Sequence, residues 1–259
     1  MTKLERAEKA QKHYERICRL YSEEIKDSIG WTWIYNPGLT RKNNDLSQYT
    51  KHSIHLVAKD SVSCLLEEPM HGRVCVVNFA SYKHPGGYFL GGSSAQEEAL
   101  CHESTLYPVL LFFKNSYYDW NKKHLNKAQY LNRALYSKDI LFEKDGKKVF
   151  ADVLTCAAPN YKTAHTYQNV SMQENLANFE DRIKFAYNIA EERGVNTLIT
   201  GAWGCGVFMQ PPLETCKLLT NTLLQGGYSN LQNVYYAIPD ENSRNFKAFQ
   251  EVLDAKTRK

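Results

Sequence analysis

The consecutive acids Glu97 and Glu98 close a run that begins Asn78-Phe79-Ala80-Ser81-Tyr82 and passes through Gly86, Gly87, Gly91 and Gly92 before reaching Gln96. A protonated carboxyl can supply a proton to a leaving oxygen, and a carboxylate can steady an oxocarbenium-like cation. Cleavage of a glycosidic bond needs both. Adjacent residues on a helix point about 100° apart, so the two acids are not expected to flank one bond as separated glycosidase pairs do. Different tasks are expected, one at the leaving oxygen and one on sugar hydroxyls. A helix N-terminus lowers a glutamate pKa, so an acid catalyst here requires burial and mutual repulsion to prevail. Glycines let the backbone approach a ligand and aim N–H groups at sugar or phosphate oxygens. Taken alone, such a loop is more often a connector whose acids complement a helix dipole.

A second loop changes that balance. Leu198-Ile199-Thr200 reads as a strand end, followed by Gly201-Ala202-Trp203-Gly204-Cys205-Gly206-Val207-Phe208-Met209-Gln210 and a helix opened by Pro211-Pro212. The spacing fits neither the dinucleotide fingerprint G-x-G-x-x-G nor the Walker pattern. Two glycine loops after strands of one sheet point to a nucleotide diphosphate. Cys205 has no evident His or Asp partner and reads as a small buried residue rather than a nucleophile. His84 and His102 read as structural, Tyr117, Tyr118 and Trp120 as core, and residues 161–167 as a flap over the cleft.

The elements that must position these loops follow from periodicity. Apolar residues spaced by three or four predict an N-terminal amphipathic helix from Lys3 to about Lys26, and the turn-rich stretch Trp31 to Tyr49, with Asn43, Asn44 and Asp45, predicts an irregular connector. Strands are predicted at Ser53–Ala58, Arg73–Ala80, Asp139–Glu143, Phe150–Cys156, Asn196–Thr200 and Asn233–Ile238. Helices are predicted at Ser61–Glu68, Ser171–Arg193, Pro212–Gln225 and Asn242–Ala255. The fold class is α/β, a mixed sheet sandwiched by helices with an N-terminal helical extension, divided as 1–50 and 51–259. With 259 residues and 43% hydrophobic content the chain supports one sizeable core. A formal charge of +4 is too weak for an electrostatic nucleic-acid tether, so no direct nucleic-acid binding is expected. Seven cysteines without a CxxC pair suggest neither a disulfide framework nor a zinc ribbon; no metal site, no cofactor and no membrane partner are expected, and a cytoplasmic location, or the nucleus in a eukaryote, fits best.

Taken together, these residues resemble the microbial-type poly(ADP-ribose) glycohydrolase family, whose signature is three glycines, a short spacer and QEE. Here Gly86-Gly87-Tyr88 is followed by seven residues and Gln96-Glu97-Glu98, with Ser104-Thr105-Leu106-Tyr107, Ala157-Ala158-Pro159-Asn160 and the 201–208 loop in matching order, about Glu24 to Ile238. The resemblance implies a macrodomain that binds ADP-ribose at the strand ends without a metal. It implies Glu98 as the catalytic acid, Glu97 and Asn78 on the ribose hydroxyls, Gln96 assisting, and Gly86, Gly87 and Tyr88 along the sugar. Gly204, Cys205, Gly206, Val207 and Phe208 would wrap the diphosphate, with Phe208 against the distal ribose, and Asp60 would meet the adenine amino group. The chain departs from the pattern at Tyr88, where the third glycine is usual, at Met209 and Gln210 for Gly and Asn, and at His102 for Arg. A tyrosine is costly at positive φ, so a reshaped loop tip and a narrower cleft are expected.

The leading expectation is a hydrolase (glycosidase) that cleaves ribose–ribose bonds of poly(ADP-ribose) and releases ADP-ribose. A hydrolase of single ADP-ribose groups on protein or nucleic acid is favoured weakly by Tyr88. The presence of both glutamates argues against a non-catalytic ADP-ribose reader.

Overall fold

The computed structural model describes residues 1–38 and 52–257. Helices α1 (Lys3–Leu20) and α2 (Ser22–Gly30) lead into strand β1 (Thr32–Tyr35). After β2 (Ser53–Val57) come α3 (Ser61–Glu67), β3 (Val74–Phe79), α4 (Gln96–His102), α5 (Leu106–Phe112) and α6 (Asp119–Lys122). The chain then runs through β4 (Ala134–Lys144), β5 (Lys147–Cys156), α7 (Tyr161–Gln168), α8 (Met172–Glu192), β6 (Thr197–Thr200), α9 (Pro212–Gln225), β7 (Asn233–Ala237) and α10 (Arg244–Thr257). Seven strands form one sheet in the order β1-β4-β5-β3-β6-β7-β2. The hairpin side, β1-β4-β5, is antiparallel and every other pairing is parallel, which makes the sheet mixed as expected.

The period of two along the strands divides the core. On β3, Cys75 and Val77 enter one apolar cluster and Val76 the other; on β7, Val234 and Tyr236 part from Tyr235 and Ala237 in the same way. The first cluster is closed by Phe179 and Ile183 of α8, Cys216 and Leu219 of α9, and Phe249 of α10. Opposite, Ala10 of α1, Ile25 of α2, Leu65 of α3, Leu100 of α4 and Leu110 of α5 cover the sheet. A strand buried on both faces must be apolar at every position, and Val74 to Val77 satisfies that.

The predicted connector over 31–49 is corrected at its start, where β1 pairs with β4 and forms the sheet edge. Four residues, only Tyr35 of them buried, gave too short and too exposed a pattern to register. Asn43, Asn44, Asp45 and Tyr49 lie outside the described residues. The strand predicted at Asp139–Glu143 begins five residues earlier, at Ala134, and carries a bulge between Ser137 and Ile140 where Asp139 adopts φ +53. The 161–167 stretch is a helix, α7, capped by the Asn160 side chain at one end and by Asn169 at φ +53 at the other.

Candidate active site

Neighbouring parallel strands β5, β3 and β6 deliver three loops to one end of the sheet: Ala157-Ala158 after β5, the first glycine loop after β3, and the second after β6. A crevice at strand carboxyl ends is the usual ligand position in such sheets. Here it is a cavity of about 360 Å³, lined by Asp60, Phe79, Ala95 and Gln96 on one side and by Gly204, Gly206, Val207 and Phe208 on the other. That volume lies within the range of small-molecule sites.

Glu97 and Glu98 occupy the first turn of α4 just beyond Gln96, only 3% and 5% exposed. The cavity is lined by their neighbours Ala95 and Gln96 and not by the two acids themselves, nor by Asn78, Gly86, Gly87, Tyr88 or Cys205. Glu97 Oε2 accepts from the Ser81 N–H at 2.7 Å, and its Oε1 from Asn78 Nδ2 at 3.3 Å. Asn78 is fully buried and also donates to Thr155 Oγ1, while its Oδ1 has no hydrogen-bond partner. Glu98 Oε1 accepts from the Tyr88 N–H at 2.9 Å and its Oε2 from the Ala95 N–H at 3.1 Å, so this carboxylate ties the glycine loop to the helix start. Gly87, at φ +61, covers both acids: an added Cβ would come within 2.5 Å of Glu98 Oε1 and 3.1 Å of Glu97 Oε2. Only a residue without a side chain passes over the pair.

Burial is the main influence on Glu97 and pushes its carboxyl up to about 8; the Ser81 N–H pulls it down and the neighbouring Glu98 charge raises it again. This balance favours the protonated form of Glu97 near neutral pH.

Gln96 is fully engaged. Its Nε2 donates to Val77 O and Ser61 Oγ and its Oε1 accepts from the Phe79 N–H, so the side chain pins α4 to the end of β3 and to α3. Asp60 caps α3, accepting from the Val62 and Ser63 N–H groups, and pairs with Lys144 at 3.0 Å. Burial alone would raise its carboxyl, but the Ser63 donors and the Lys144 ammonium outweigh it and hold the group below the usual range.

Tyr88 departs from the expectation drawn from its size. Its φ is −119°, so the position never required glycine, and the ring, 62% exposed, lies over Gly91 with the Lys3 ammonium 5.1 Å from its centroid. The ring is turned toward α1 and does not narrow the cavity. The strained position lies instead in the second loop, where Met209 adopts φ +58. Gln210, the other departure there, is buried and exchanges both amide hydrogen bonds with Asn175 while donating to Pro159 O. Cys205 donates to Thr215 Oγ1, and burial pushes its thiol up to about 12, which removes it as a nucleophile. His102 packs edge-on against Phe89 and is held neutral, lowered by burial to about 4.

Sequence reasoning missed Ser81, Thr155, Lys144 and Tyr130, the last meeting Phe208 edge-on. Each meets its partner across 16 or more residues, and one-dimensional spacing carries no signal for such pairs. Among the described residues no group of three His, Cys, Asp or Glu side chains is arranged to hold a metal ion, and no helix is long and apolar enough to cross a membrane.

Comparison with known proteins agrees with this architecture. The structure of a poly(ADP-ribose) glycohydrolase from Thermomonospora curvata superposes with a TM-score of 0.82 at 23% identity, covering 96% of this chain and 99% of that one. The enzyme from Deinococcus radiodurans, in complex with ADP-ribose, gives 0.77 at 25% identity over 89% and 97%. No curated protein matches the chain in sequence. The family model described as microbial-type PARG, catalytic domain, matches residues 3–145, more than half of the chain and the part that contains β3, the first glycine loop and both glutamates; the chain belongs to that family.

Proposed function

We propose that the protein is a poly(ADP-ribose) glycohydrolase that binds the terminal ADP-ribose of a polymer in the cavity and hydrolyses the ribose–ribose bond to release ADP-ribose. The observation that carries the reading is the buried acidic pair beneath Gly87, next in the chain to Ala95 and Gln96 of a cavity that is also lined by a glycine loop suited to a diphosphate. ADP-ribose bound to the Deinococcus radiodurans enzyme and the inhibitor ADP-HPD bound to the Thermomonospora curvata enzyme support the ligand class. In this reading Asp60 meets the adenine, residues 204–208 wrap the diphosphate, Asn78 and Glu97 hold the ribose, and Glu98 protonates the leaving oxygen. The orphaned Asn78 Oδ1 is suited to a sugar hydroxyl. The site is carried by residues within 51–259, and α1 braces its first glycine loop, Arg6 Nε donating to Gly92 O. Seven free cysteines support a reducing, cytoplasmic setting.

A second assignment of the acid has an observation of its own. Glu97 holds a proton near neutral pH, whereas both Glu98 oxygens accept from backbone N–H groups. If Glu98 is the acid, Glu98→Gln lowers turnover of purified polymer by about 100-fold or more with ADP-ribose affinity within several-fold, and Glu97→Gln weakens both. Selective loss of turnover in Glu97→Gln, with Glu98→Gln near wild type, reverses the roles. Calorimetry that finds no heat with millimolar ADP-ribose overturns the whole reading.

A further inference from the structure

The segment from Asn126 to Tyr130 places four non-glycine residues in the left-handed region: Asn126 at φ +43, Lys127 at +51, Ala128 at +62 and Tyr130 at +61. Each costs roughly 1 kcal/mol or more, and such conformations persist only where the surroundings fix them. The turn is held by the Asn160 N–H donating to Ala128 O, the Tyr130 N–H to Leu125 O, and Asn126 Nδ2 to Tyr130 O. It also buries the Gln129 side chain, 2% exposed, with neither its amide nitrogen nor its oxygen hydrogen-bonded. A turn that accumulates this much unfavourable conformation is explained by what it presents, which is the ring of Tyr130.

That ring stacks on Tyr82 at 4.2 Å between centroids and 11° between planes, and meets Phe208 edge-on at 6.1 Å. Tyr82 follows Ser81, whose N–H holds Glu97; Phe208 lies in the second glycine loop and lines the cavity. Tyr82, Tyr130 and Ala157 form a small apolar cluster of their own, and Phe208 packs both against it and against the first main core. The three rings thus join the acid-bearing loop to the diphosphate loop directly. We propose that Tyr130 is a positioning residue: from its strained turn it fixes the Phe208 ring relative to Tyr82 and so sets the Gly204–Phe208 backbone for the diphosphate of ADP-ribose. The proposal rests on the function argued above for its ligand.

Two measurements test it. By calorimetry, Tyr130→Leu, which keeps an apolar side chain in the cluster, raises the ADP-ribose Kd at least tenfold, and Tyr130→Phe, which keeps the ring, stays within threefold of wild type. In a Phe208→Ala background Tyr130→Leu changes Kd by less than twofold, because the residue it acts through is gone. Wild-type affinity in Tyr130→Leu, or the same fold loss in both backgrounds, overturns the proposal. By amide hydrogen exchange without ligand, residues 204–208 exchange faster in Tyr130→Leu and unchanged in Tyr130→Phe; unchanged exchange in both sinks the coupling. If wild-type protein binds no ADP-ribose the proposed function fails, while the exchange measurement still decides whether Tyr130 holds the loop.

Discussion

The two glycine loops leave adjacent strands of the same sheet, yet they are supported in opposite ways. The first is held from beneath by two buried acidic side chains, through the Tyr88 N–H and the close approach of Gly87, and from outside by α1, where Arg6 Nε donates to Gly92 O. Its positive-φ positions, Gly86, Gly87 and Gly92, are all glycine. The second is anchored at its base by the Gln210–Asn175 pair and at Phe208, but its tip is open, with Val207 and Met209 exposed and a left-handed conformation assigned to methionine. In the proposed function, support is densest where a proton would be placed and thinnest where a flexible diphosphate would be wrapped. Placement within a fraction of an ångström matters more for the first task than for the second.

The largest test of this contrast concerns the acids themselves. Glu97 is raised from 4.5 to about 8, so the folded state holds a proton that the unfolded chain releases over that interval. Its contribution to stability is fully present below about pH 4.5 and is lost as pH rises through 8. Urea denaturation of Glu97→Gln and wild type should agree near pH 4.5 and diverge by pH 8.5, the variant being more stable by on the order of a few kcal/mol, at about 1.4 kcal/mol per pKa unit. Parallel curves for the two proteins would show that the pair beneath Gly87 is not electrostatically loaded.

Next in size is the brace. Gly92 sits at φ +78, and an added Cβ would collide with the Lys3 carbonyl of α1. Gly92→Ala should therefore either displace α1 or destabilise the protein by roughly 2 kcal/mol or more, with loss of turnover, read by thermal melting and polymer hydrolysis. A neutral result would mean that α1 does not support the first loop. In the second loop the same kind of argument runs the other way: Met209→Gly removes a left-handed cost of about 1–2 kcal/mol against an unfolded-state entropy loss of up to about 1. A net stabilisation of about 0.5–1 kcal/mol is expected in urea melts, and a destabilisation would show that the exposed methionine makes contacts worth more than its strain.

Much of this is legible in the amino-acid sequence. The buried strand Val74–Phe79 and both glycine loops follow from local composition, because each is decided by neighbours within a few residues. What escaped was decided elsewhere. Strand β1 depends on its pairing with β4, about 100 positions along the chain, and α7 depends on its caps at Asn160 and Asn169, in a stretch whose apolar pattern is weak. The two tip departures differ in backbone: Tyr88 was expected to need a glycine conformation and does not, whereas Met209, for which no conformation was expected, adopts one. Backbone angle at a loop position is set by the closure of the whole loop, and a motif that records only residue types does not contain it.

The smallest expected effect concerns Tyr88, where a bulky ring suggested a filter against extended polymer. The ring lies over Gly91, faces the Lys3 ammonium and does not line the cavity, which argues against a filter acting inside it. Its exposed cation–π contact is worth about 0.5–1 kcal/mol, and glycine adds up to about 1 kcal/mol of unfolded-chain entropy. Tyr88→Gly should lower stability by about 1 kcal/mol and change the rates on polymer and on a mono-ADP-ribosylated protein by the same factor, within twofold. The shared factor follows because the backbone N–H that reaches Glu98 belongs to residue 88 whatever its side chain, and any loosening of that contact acts on the acid rather than on one substrate. A rate that rose on polymer alone would place the ring over the substrate path after all, and would make the first loop a selector as well as a support for the acids.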